Sequence, residues 1–288
     1  MTDRPFRIDP ITPAIGAEIS GLDLNRPLDP ATQDAVYQAL LDHLMIVFRG
    51  QEITPEAHLA LAQSFGALDR PHPIYPHVEG FDRIMLLENG PGKPPDTNDW
   101  HTDLTYYQNP PFASVLYAVQ VPPAGGDTLW ASMYAAYDAL PEDMKRHLEG
   151  REAVHDMGNF RNGYLADGGP AALNAAMAKI GSAVHRMVQR HPVTGRPHLY
   201  VNPSFTQLVV GETQRDSDRL LTYLYDHQAR PEFQMRHRWA RHDLVMWDNR
   251  VTQHYACADY LPQHRRMHRV TVVEDRRAAA EAPRRAVG

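Results

Sequence analysis

Cysteine is almost absent from this sequence of 288 residues, which contains only Cys257. A single cysteine cannot form an intrachain disulfide, so a fold held together by a disulfide framework is excluded. No stretch approaches the roughly 18 consecutive apolar residues that a membrane-spanning helix requires, and the first residues have no apolar core of the signal-peptide kind. We therefore expect a cytoplasmic protein with no membrane partner.

An excess of basic residues is also missing. The 29 lysines and arginines are outnumbered by 35 aspartates and glutamates, so the formal net charge is −6. This balance argues against nucleic acid as the main partner, but it leaves room for a local basic pocket that binds a small anion. The apolar fraction of 43% and the charged fraction of 22% are those of an ordinary globular protein.

Short strand-like segments alternate with helical ones along the chain. Two helices, over residues 30–45 and 54–66, are preceded by the capping residues Asp29 and Thr54. Further helices are predicted over residues 133–140, 141–148, 171–180 and 216–228, and strands over residues 6–11, 17–24, 46–48, 84–87, 114–121, 128–131, 184–190, 198–202, 233–239, 244–247 and 270–273. This alternation predicts one β-rich α+β domain over residues 1–275, a barrel or sandwich wrapped by helices.

Three other stretches have the composition of loops or tails. Residues 69–99 are rich in Pro, His and Gly, and residues 156–170 are rich in Gly and Asn. Long irregular segments inside a domain are often functional, so we interpret both as candidate lids over a site. Residues 276–288 are rich in Ala, Arg and Pro, and we expect a flexible C-terminal tail there.

The segment Trp100-His101-Thr102-Asp103 is the first that suggests chemistry. In an extended segment, residues i and i+2 point to the same side, so His101 and Asp103 could offer ligands to one metal ion. The best candidate for a third ligand is His254, which follows Asp103 by 254 − 103 = 151 positions. Two histidines and one carboxylate form the facial triad of non-haem iron(II) oxygenases, but the same set also suits catalytic zinc. The ligand set alone therefore leaves the metal open.

Two arginines near the C-terminus suggest a binding site for anions. On a strand, Arg265 and Arg269 would share one face, and the planar guanidinium fork matches a carboxylate at two points. Thr128, on a predicted core strand, could donate its hydroxyl to the same anion. An oxo-acid co-substrate that chelates a metal has a far carboxylate that needs such partners. The alternative interpretation is a solvated basic strand edge with a packed threonine.

Together these segments resemble the taurine/2,4-dichlorophenoxyacetate dioxygenase family. The resemblance extends over residues 16–273, and it is most specific over residues 100–105, 125–132 and 247–269, the last of which resembles the taurine-acting members most closely. It implies a double-stranded β-helix (jelly-roll) core with surrounding helices, and a homodimer or homotetramer. It also implies Fe(II), 2-oxoglutarate and O2 as cofactors, and it assigns the residues that bind them: His101, Asp103 and His254 to the iron, and Thr128 and Arg265 to 2-oxoglutarate.

The resemblance also implies a substrate pocket, formed by His72, Tyr75, Phe205 and Arg269. Two positions depart from the taurine pattern. Thr97 stands where the taurine-acting members have an asparagine near the substrate amine, and residues 157–161 read Met-Gly-Asn-Phe-Arg instead of containing a Ser-Phe pair. A site that hydrogen-bonds a polar group is sensitive to such changes.

The expected reaction is hydroxylation of a small anionic substrate at the carbon next to its anionic group, with release of succinate and carbon dioxide. Taurine or a related alkanesulfonate is the first expectation, and its products are sulfite and an aldehyde. An aryloxyalkanoate, an alkyl sulfate or an amino-acid-like natural product is the alternative substrate. Two other classes of protein could use the same residues: a zinc hydrolase, and a non-catalytic barrel that binds an anion.

Overall fold

The computed structural model of the protein describes residues 5–72, 75–95, 98–158 and 160–281. Over these residues the chain forms sixteen strands, namely β1 (Arg7–Pro10), β2 (Ala17–Ser20), β3 (Met45–Phe48), β4 (His77–Val78), β5 (Phe81–Asn89), β6 (Ala113–Gln120), β7 (Thr128–Ser132), β8 (Glu152–His155), β9 (Ala183–Arg186), β10 (Val188–Arg190), β11 (Pro197–Leu199), β12 (Thr206–Val209), β13 (Gln234–His237), β14 (Leu244–Asp248), β15 (Thr252–Ala256) and β16 (Arg265–Val272).

The helices of the same residues are α1 (Pro30–His43), α2 (Pro55–Gln63), α3 (Met133–Asp138), α4 (Glu142–Leu148), α5 (Phe160–Ile180), α6 (Gln214–Gln228) and α7 (Arg276–Glu281), with a 3-10 turn at Pro231–Phe233. The predicted starts of α1 and α2 are confirmed. A carboxylate oxygen of Asp29 accepts from the backbone N–H of Ala31 and Thr32, and the Thr54 hydroxyl accepts from that of Ala57. No helix of these residues is long and apolar enough to span a membrane.

The strands form four sheets, two of which build the centre of the fold. Eight of the described strands form the larger sheet, in the order β1-β2-β3-β14-β6-β16-β5-β4, and β13-β7-β15 form a three-stranded sheet. The other two sheets are β12-β8-β9 and β10-β11. Many neighbours are distant in sequence: β16, near the C-terminus, pairs with both β5 and β6. The sheet order therefore brings residues from both halves of the chain side by side.

Apolar side chains hold these layers together. Val47 and Val245 of the larger sheet share one buried cluster with Trp130 and Met235 of the three-stranded sheet, so the two sheets face each other. On the other face of the larger sheet, helix α1 buries Val36, which is fully inaccessible. Complete burial of a side chain of this size stabilises the fold by about 1.5–3 kcal/mol.

One predicted loop is wrong over most of its length. Residues 156–170 were expected to be irregular, but helix α5 begins at Phe160 and continues to Ile180, with a break at Gly169, whose φ of 67° is non-helical. Pro170 follows directly after this break, and a proline interrupts the hydrogen bonds of a helix. Upstream of it, helix formation is favoured by tertiary contact, since the Phe160 ring packs 5.9 Å from that of Phe205.

Strands β4, β8, β12 and β15 were not predicted, and β5 is longer than predicted. β15 has the sequence Thr-Gln-His-Tyr-Ala, which lacks an apolar alternation. Its polar side chains are nevertheless buried because they are hydrogen-bonded: Gln253 Nε2 donates to the Val201 carbonyl oxygen at 2.7 Å, and the Thr252 hydroxyl donates to that of Asp248 at 2.8 Å. Hydrophobic periodicity cannot detect a strand that is buried in this way.

The expected C-terminal tail begins with an ordered turn of helix. Residues 276–281 form α7, and Arg276 Nη2 lies 2.8 Å from Asp34 Oδ1 of helix α1. The rest of the expected tail, residues 282–288, lies outside the described residues.

Candidate active site

Three ionisable side chains meet in the interior: His101 and Asp103 from the segment before β6, and His254 from β15. His101 and His254 face each other in an antiparallel bridge, in which each backbone N–H donates to the carbonyl oxygen of the other residue, at 3.0 and 2.8 Å. Asp103 Oδ1 lies 3.7 Å from His101 Nε2 and 3.8 Å from His254 Nε2. One ligand atom of each residue lies within 4.8 Å of the others, and all three residues are buried.

Asn249 holds the backbone of Asp103 in place. Its Oδ1 accepts from the Asp103 N–H at 2.9 Å, and its Nδ2 donates to the carbonyl oxygens of Asp103 and Pro111, both at 3.1 Å. The Thr102 hydroxyl donates to the Thr252 carbonyl oxygen at 2.9 Å. The segment that carries His101 and Asp103 is therefore fastened to the turn after β14 and to β15.

The protonation of the cluster suits metal binding. His101 Nδ1 lies 2.8 Å from the Asp99 carbonyl oxygen, which can only accept, so Nδ1 carries a proton and Nε2 is the ring nitrogen that faces Asp103. Burial, and then His101, lower the pKa of His254 well below its usual value. Burial would raise the pKa of Asp103, but Arg269 and the two histidines outweigh it and hold this pKa well below its usual range. The cluster thus offers two imidazole nitrogens and a carboxylate.

The two oxygens of Asp103 have different neighbours. Oδ1 faces the imidazoles, whereas Oδ2 accepts from Arg269 Nη2 and from the Ser114 hydroxyl, the latter at 3.3 Å. Arg269 Nη2 also donates to Ser114 Oγ at 2.8 Å. Oδ1 is therefore the oxygen that can bind a metal, and the set of two nitrogens and one oxygen fits a divalent first-row metal such as Fe(II).

Arg265, at the start of β16, is a buried cation. It is 7% exposed, its Nε has no hydrogen-bond partner, and it forms no salt bridge within the described part of the chain. Burial lowers the pKa of Arg265 more than the nearby Tyr260, Cys257 and Asp127 raise it. A guanidinium in such a place is costly unless an anion pairs with it, so Arg265 is a candidate for binding an anion.

One cavity of about 490 Å³ joins the cluster to the arginines. Arg265 and Arg269 both line it, as expected for alternate residues on one strand face, and so does Thr128 on β7. The Thr128 hydroxyl accepts from Trp239 Nε1 at 3.0 Å. The anion-binding residues predicted from the sequence are therefore assembled around a single space together with the cluster.

The predicted substrate residues His72, Tyr75 and Phe205 also line this cavity. The rings of His72 and Tyr75 lie 4.9 Å apart. Burial, and then the charges of Arg269 and His77, lower the pKa of His72 to about 4, so its imidazole is neutral near pH 7. Thr97, the remaining predicted substrate residue, lies outside the described residues.

Several residues of the cavity and its support were missed by the sequence analysis. Trp130 lies on the cavity wall and stacks against His254, with ring centroids 6.4 Å apart. It could have been found, because it follows Thr128 by two positions on one strand and so shares its face. Tyr106 and Tyr164 add aromatic surface to the wall. The contact of Trp239 with Thr128 had no signal in the sequence.

The chain is similar to a known protein family over most of its length. The sequence model of the family described as "Taurine catabolism dioxygenase TauD, TfdA family" matches residues 7–271. An alkylsulfatase of Acinetobacter baylyi is 38% identical over 91% of this chain and 83% of that protein. An alpha-ketoglutarate-dependent sulfate ester dioxygenase of Pseudomonas putida is 36% identical over 92% of this chain and 88% of that protein.

A solved structure agrees with these similarities. The crystal structure of a taurine dioxygenase from Burkholderia xenovorans superposes with a TM-score of 0.81 at 36% sequence identity, covering 94% of this chain and 90% of that one. The mixed arrangement of sheets and helices described above is therefore the fold of that enzyme.

Proposed function

The chain belongs to the taurine catabolism dioxygenase TauD, TfdA family, and on that basis we propose that it hydroxylates a sulfonate or a sulfate ester at the carbon next to the anionic group. It is a 2-oxoglutarate-dependent dioxygenase that uses Fe(II), 2-oxoglutarate and O2. Family membership rules out the zinc hydrolase and the non-catalytic barrel that the residues alone left open. The observation that carries the proposal is a single cavity lined by a metal-binding cluster and two arginines.

His101 Nε2, Asp103 Oδ1 and His254 would hold the iron. The bridge between the two histidines and the Asn249 contacts to Asp103 support this assignment, because they keep three ligands from two remote segments in one place. When bound, Fe(II) together with 2-oxoglutarate and O2 supplies the oxidation that inserts one oxygen atom into a C–H bond and yields succinate and carbon dioxide.

Arg265 and Thr128 would bind the far carboxylate of 2-oxoglutarate. Arg265 is a buried guanidinium that needs an anion, and the hydroxyl of Thr128 lines the same cavity. Charge-assisted hydrogen bonds of this kind are worth about 1.5–3 kcal/mol each.

Arg269 would orient the anionic group of the substrate, with His72 and Tyr75 beside it. Its Nε is buried and has no hydrogen-bond partner among the described residues, whereas its Nη2 is engaged by Asp103. The same side chain thus contacts the metal-binding carboxylate and faces the cavity. Phe205 and Phe160, whose rings pack together, would surround the carbon chain and exclude water.

The names of the relatives favour a sulfur-containing anion. Hydroxylation next to a sulfonate gives an unstable product that releases sulfite and an aldehyde. The same reaction on a sulfate ester releases sulfate and an aldehyde. Taurine is one member of this class, and the departures at Thr97 and at residues 157–161 lead us to expect that a substrate without an amine is preferred.

We further propose that the two facing sheets form a jelly-roll, or double-stranded β-helix, within one domain over residues 1–275. Their shared apolar cluster and the similarity to a solved dioxygenase support this arrangement. A homodimer or homotetramer remains a prediction, which the mass of the protein in solution would test.

The test is a substrate panel. Purified protein with Fe(II), 2-oxoglutarate and O2 is given taurine, linear alkanesulfonates, linear alkyl sulfates, an aryloxyacetate and an amino acid, and succinate, sulfite, sulfate and aldehyde are measured. We expect the highest kcat/KM for an alkyl sulfate or alkanesulfonate, with one sulfite or sulfate released per succinate. Asp103→Ala serves as the inactive control. Turnover confined to the aryloxyacetate or the amino acid would reject the proposed substrate class.

A further inference from the structure

Trp239 stands directly behind the anion-binding end of the cavity. It follows strand β13, where His237 pairs with Thr128 of β7, and it is 7% exposed. Its indole Nε1 donates to the Thr128 hydroxyl oxygen at 3.0 Å. Trp239 is not one of the residues that line the cavity, whereas Thr128 is. Any effect of this tryptophan on a molecule in the cavity must therefore act through its neighbours.

The direction of this hydrogen bond constrains the Thr128 hydroxyl. An indole N–H can only donate, so the oxygen of Thr128 is the acceptor and its own hydrogen must point elsewhere. Among the described residues, the contact with Trp239 is the one hydrogen bond that the Thr128 side chain makes. The hydroxyl hydrogen is thus available to an acceptor in the cavity, which is what a carboxylate requires.

The indole ring is itself held firmly. The His237 ring meets it edge-on with centroids 4.6 Å apart, and His237 Nε2 lies 3.2 Å from the buried Asp243 carboxylate. The Trp130 ring packs on it at 6.2 Å. The guanidinium of Arg265 lies over the same indole, 5.8 Å from the ring centroid. One buried side chain therefore contacts both groups that surround the anion end of the cavity.

We propose that Trp239 is a positioning residue for the far carboxylate of 2-oxoglutarate. By occupying the acceptor site of Thr128, its indole N–H turns the hydroxyl into a dedicated donor toward the cavity. The inference rests on the proposed assignment of Thr128 and Arg265 to this carboxylate. Without the indole N–H, the hydroxyl can rotate and lose its alignment with the carboxylate.

The test is a double-mutant cycle on co-substrate binding. Trp239→Phe keeps an aromatic ring under Arg265 but removes the N–H, and Thr128→Val removes the hydroxyl at nearly constant volume. The Kd of 2-oxoglutarate is measured by isothermal titration calorimetry on Mn(II)-loaded protein, without turnover. We expect Trp239→Phe to weaken binding about 3- to 10-fold and Thr128→Val about tenfold or more. The double variant should bind as Thr128→Val does, within about twofold.

A matched control removes a comparable hydrogen bond outside the cavity wall. Tyr134→Phe deletes the contact between Tyr134 Oη and Thr194 Oγ1, which are 2.8 Å apart, and should leave the Kd of 2-oxoglutarate unchanged. Thermal unfolding of all variants without metal or co-substrate reports their folding.

The outcomes separate this inference from the proposed function. If Thr128→Val binds 2-oxoglutarate like the wild type, the proposed role of Thr128 fails, and the inference fails with it. If Thr128→Val weakens binding but Trp239→Phe does not, only the inference is overturned. The same holds if Trp239→Phe weakens binding by the same factor in the wild type and in Thr128→Val.

Discussion

At the scale of single residues, Asp103 contacts both the proposed metal site and the proposed anchor of the substrate. Its Oδ1 faces the two imidazoles, and its Oδ2 accepts from Arg269, the proposed anchor of the substrate. A carboxylate shared in this way stays ionised, as the lowered pKa of Asp103 indicates. It also means that a change at Arg269 alters the neighbour of a proposed metal ligand, so both the metal affinity and the substrate affinity of Arg269 variants should be measured.

Arg265→Met is expected to weaken 2-oxoglutarate binding without lowering the free energy of unfolding. Methionine replaces the unpaired buried guanidinium with an apolar side chain, so the free energy of unfolding without ligands should rise by about 1 kcal/mol or stay unchanged. The Kd of 2-oxoglutarate should increase by about tenfold or more, because a charge-assisted contact is lost. Urea unfolding and calorimetry measure the two quantities.

Arg266→Met is the matched control for that variant. Arg266 is the next residue on β16, but it is partly exposed and pairs with Glu88. Its replacement should leave the Kd of 2-oxoglutarate within about twofold of the wild type, because Arg266 does not line the cavity. A loss of co-substrate affinity at Arg266 as large as that at Arg265 would contradict the assignment.

The sequence predicted these individual residues unevenly. His101 and Asp103 were accessible through their i, i+2 spacing, and Arg265 and Arg269 through the alternation of a strand. The contact between Trp239 and Thr128 was not accessible, because it joins a residue of β7 to a residue that follows β13, 111 positions later in the chain. Local periodicity predicts the face of a strand on which a side chain lies. It does not predict which residue, distant in sequence, packs against that face.

At the scale of secondary structure, helix α5 differs most from the sequence-based expectation. Its sequence contains three glycines and a proline, which predicted a loop. The helix forms nevertheless up to Gly169, and Phe160 and Tyr164 line the cavity. Tertiary contact with Phe205 outweighs the weak helix propensity of this segment. The loop predicted over residues 156–170 is therefore wrong over most of its length, and the interpretation of this segment as a lid stays a prediction.

Gly158→Ala should disturb the cavity wall near the start of α5 and affect the substrate more than 2-oxoglutarate. Gly158 has a φ of 51°, and a Cβ there would lie 1.7 Å from the Ser204 carbonyl oxygen, so either the start of α5 or the Phe205 segment must move. We expect the free energy of unfolding to fall by about 1–3 kcal/mol and the substrate KM to rise about 3- to 10-fold. The Kd of 2-oxoglutarate should be unchanged, because its proposed binding residues lie on β7 and β16.

Gly66→Ala provides the matched backbone clash away from the cavity. A Cβ at Gly66 would lie 1.6 Å from the Glu274 carbonyl oxygen, between the end of α2 and the segment after β16. This variant should lose a similar free energy of unfolding, but keep the substrate KM of the wild type. An equal rise of KM in both variants would mean that general loosening, and not the cavity wall, causes the effect at Gly158.

At the scale of the whole molecule, several histidines are buried away from the metal-binding cluster. The sequence contains 16 of them, yet among the described residues only His101 and His254 join the metal-binding cluster. His58, His155 and His198 are buried elsewhere. Burial lowers their pKa values to about 4, 3 and 4, respectively, so they are neutral in the folded protein near pH 7.

This distribution predicts that the protein loses stability in mild acid. In the unfolded chain these histidines have a pKa of about 6.5 and bind protons that the folded protein does not bind until about pH 4 or below. The free energy of unfolding should therefore fall as the pH drops from about 6.5 to about 4, by roughly 1 kcal/mol per buried histidine at pH 5.5. Urea unfolding at pH 7.5 and 5.5 measures the difference.

His58→Gln is the control for the pH effect. His58 Nε2 lies 3.1 Å from the Val115 carbonyl oxygen, a contact that a glutamine amide can imitate. Between pH 7.5 and pH 5.5, the free energy of unfolding of this variant should fall less than that of the wild type. The difference should equal the contribution of one histidine. Equal free energies of unfolding of the wild type at pH 7.5 and 5.5 would contradict the assignment of neutral buried histidines.

The bridge between His101 and His254 has a consequence for how the enzyme is made. During synthesis, Asp103 leaves the ribosome 151 residues before His254, a delay of about 8–30 s at ordinary rates of translation. Until strand β15 has been made and has paired, the nascent chain offers an incoming ion two ligands and no enclosed site. We therefore expect the three-residue site to be complete only after translation has passed residue 254.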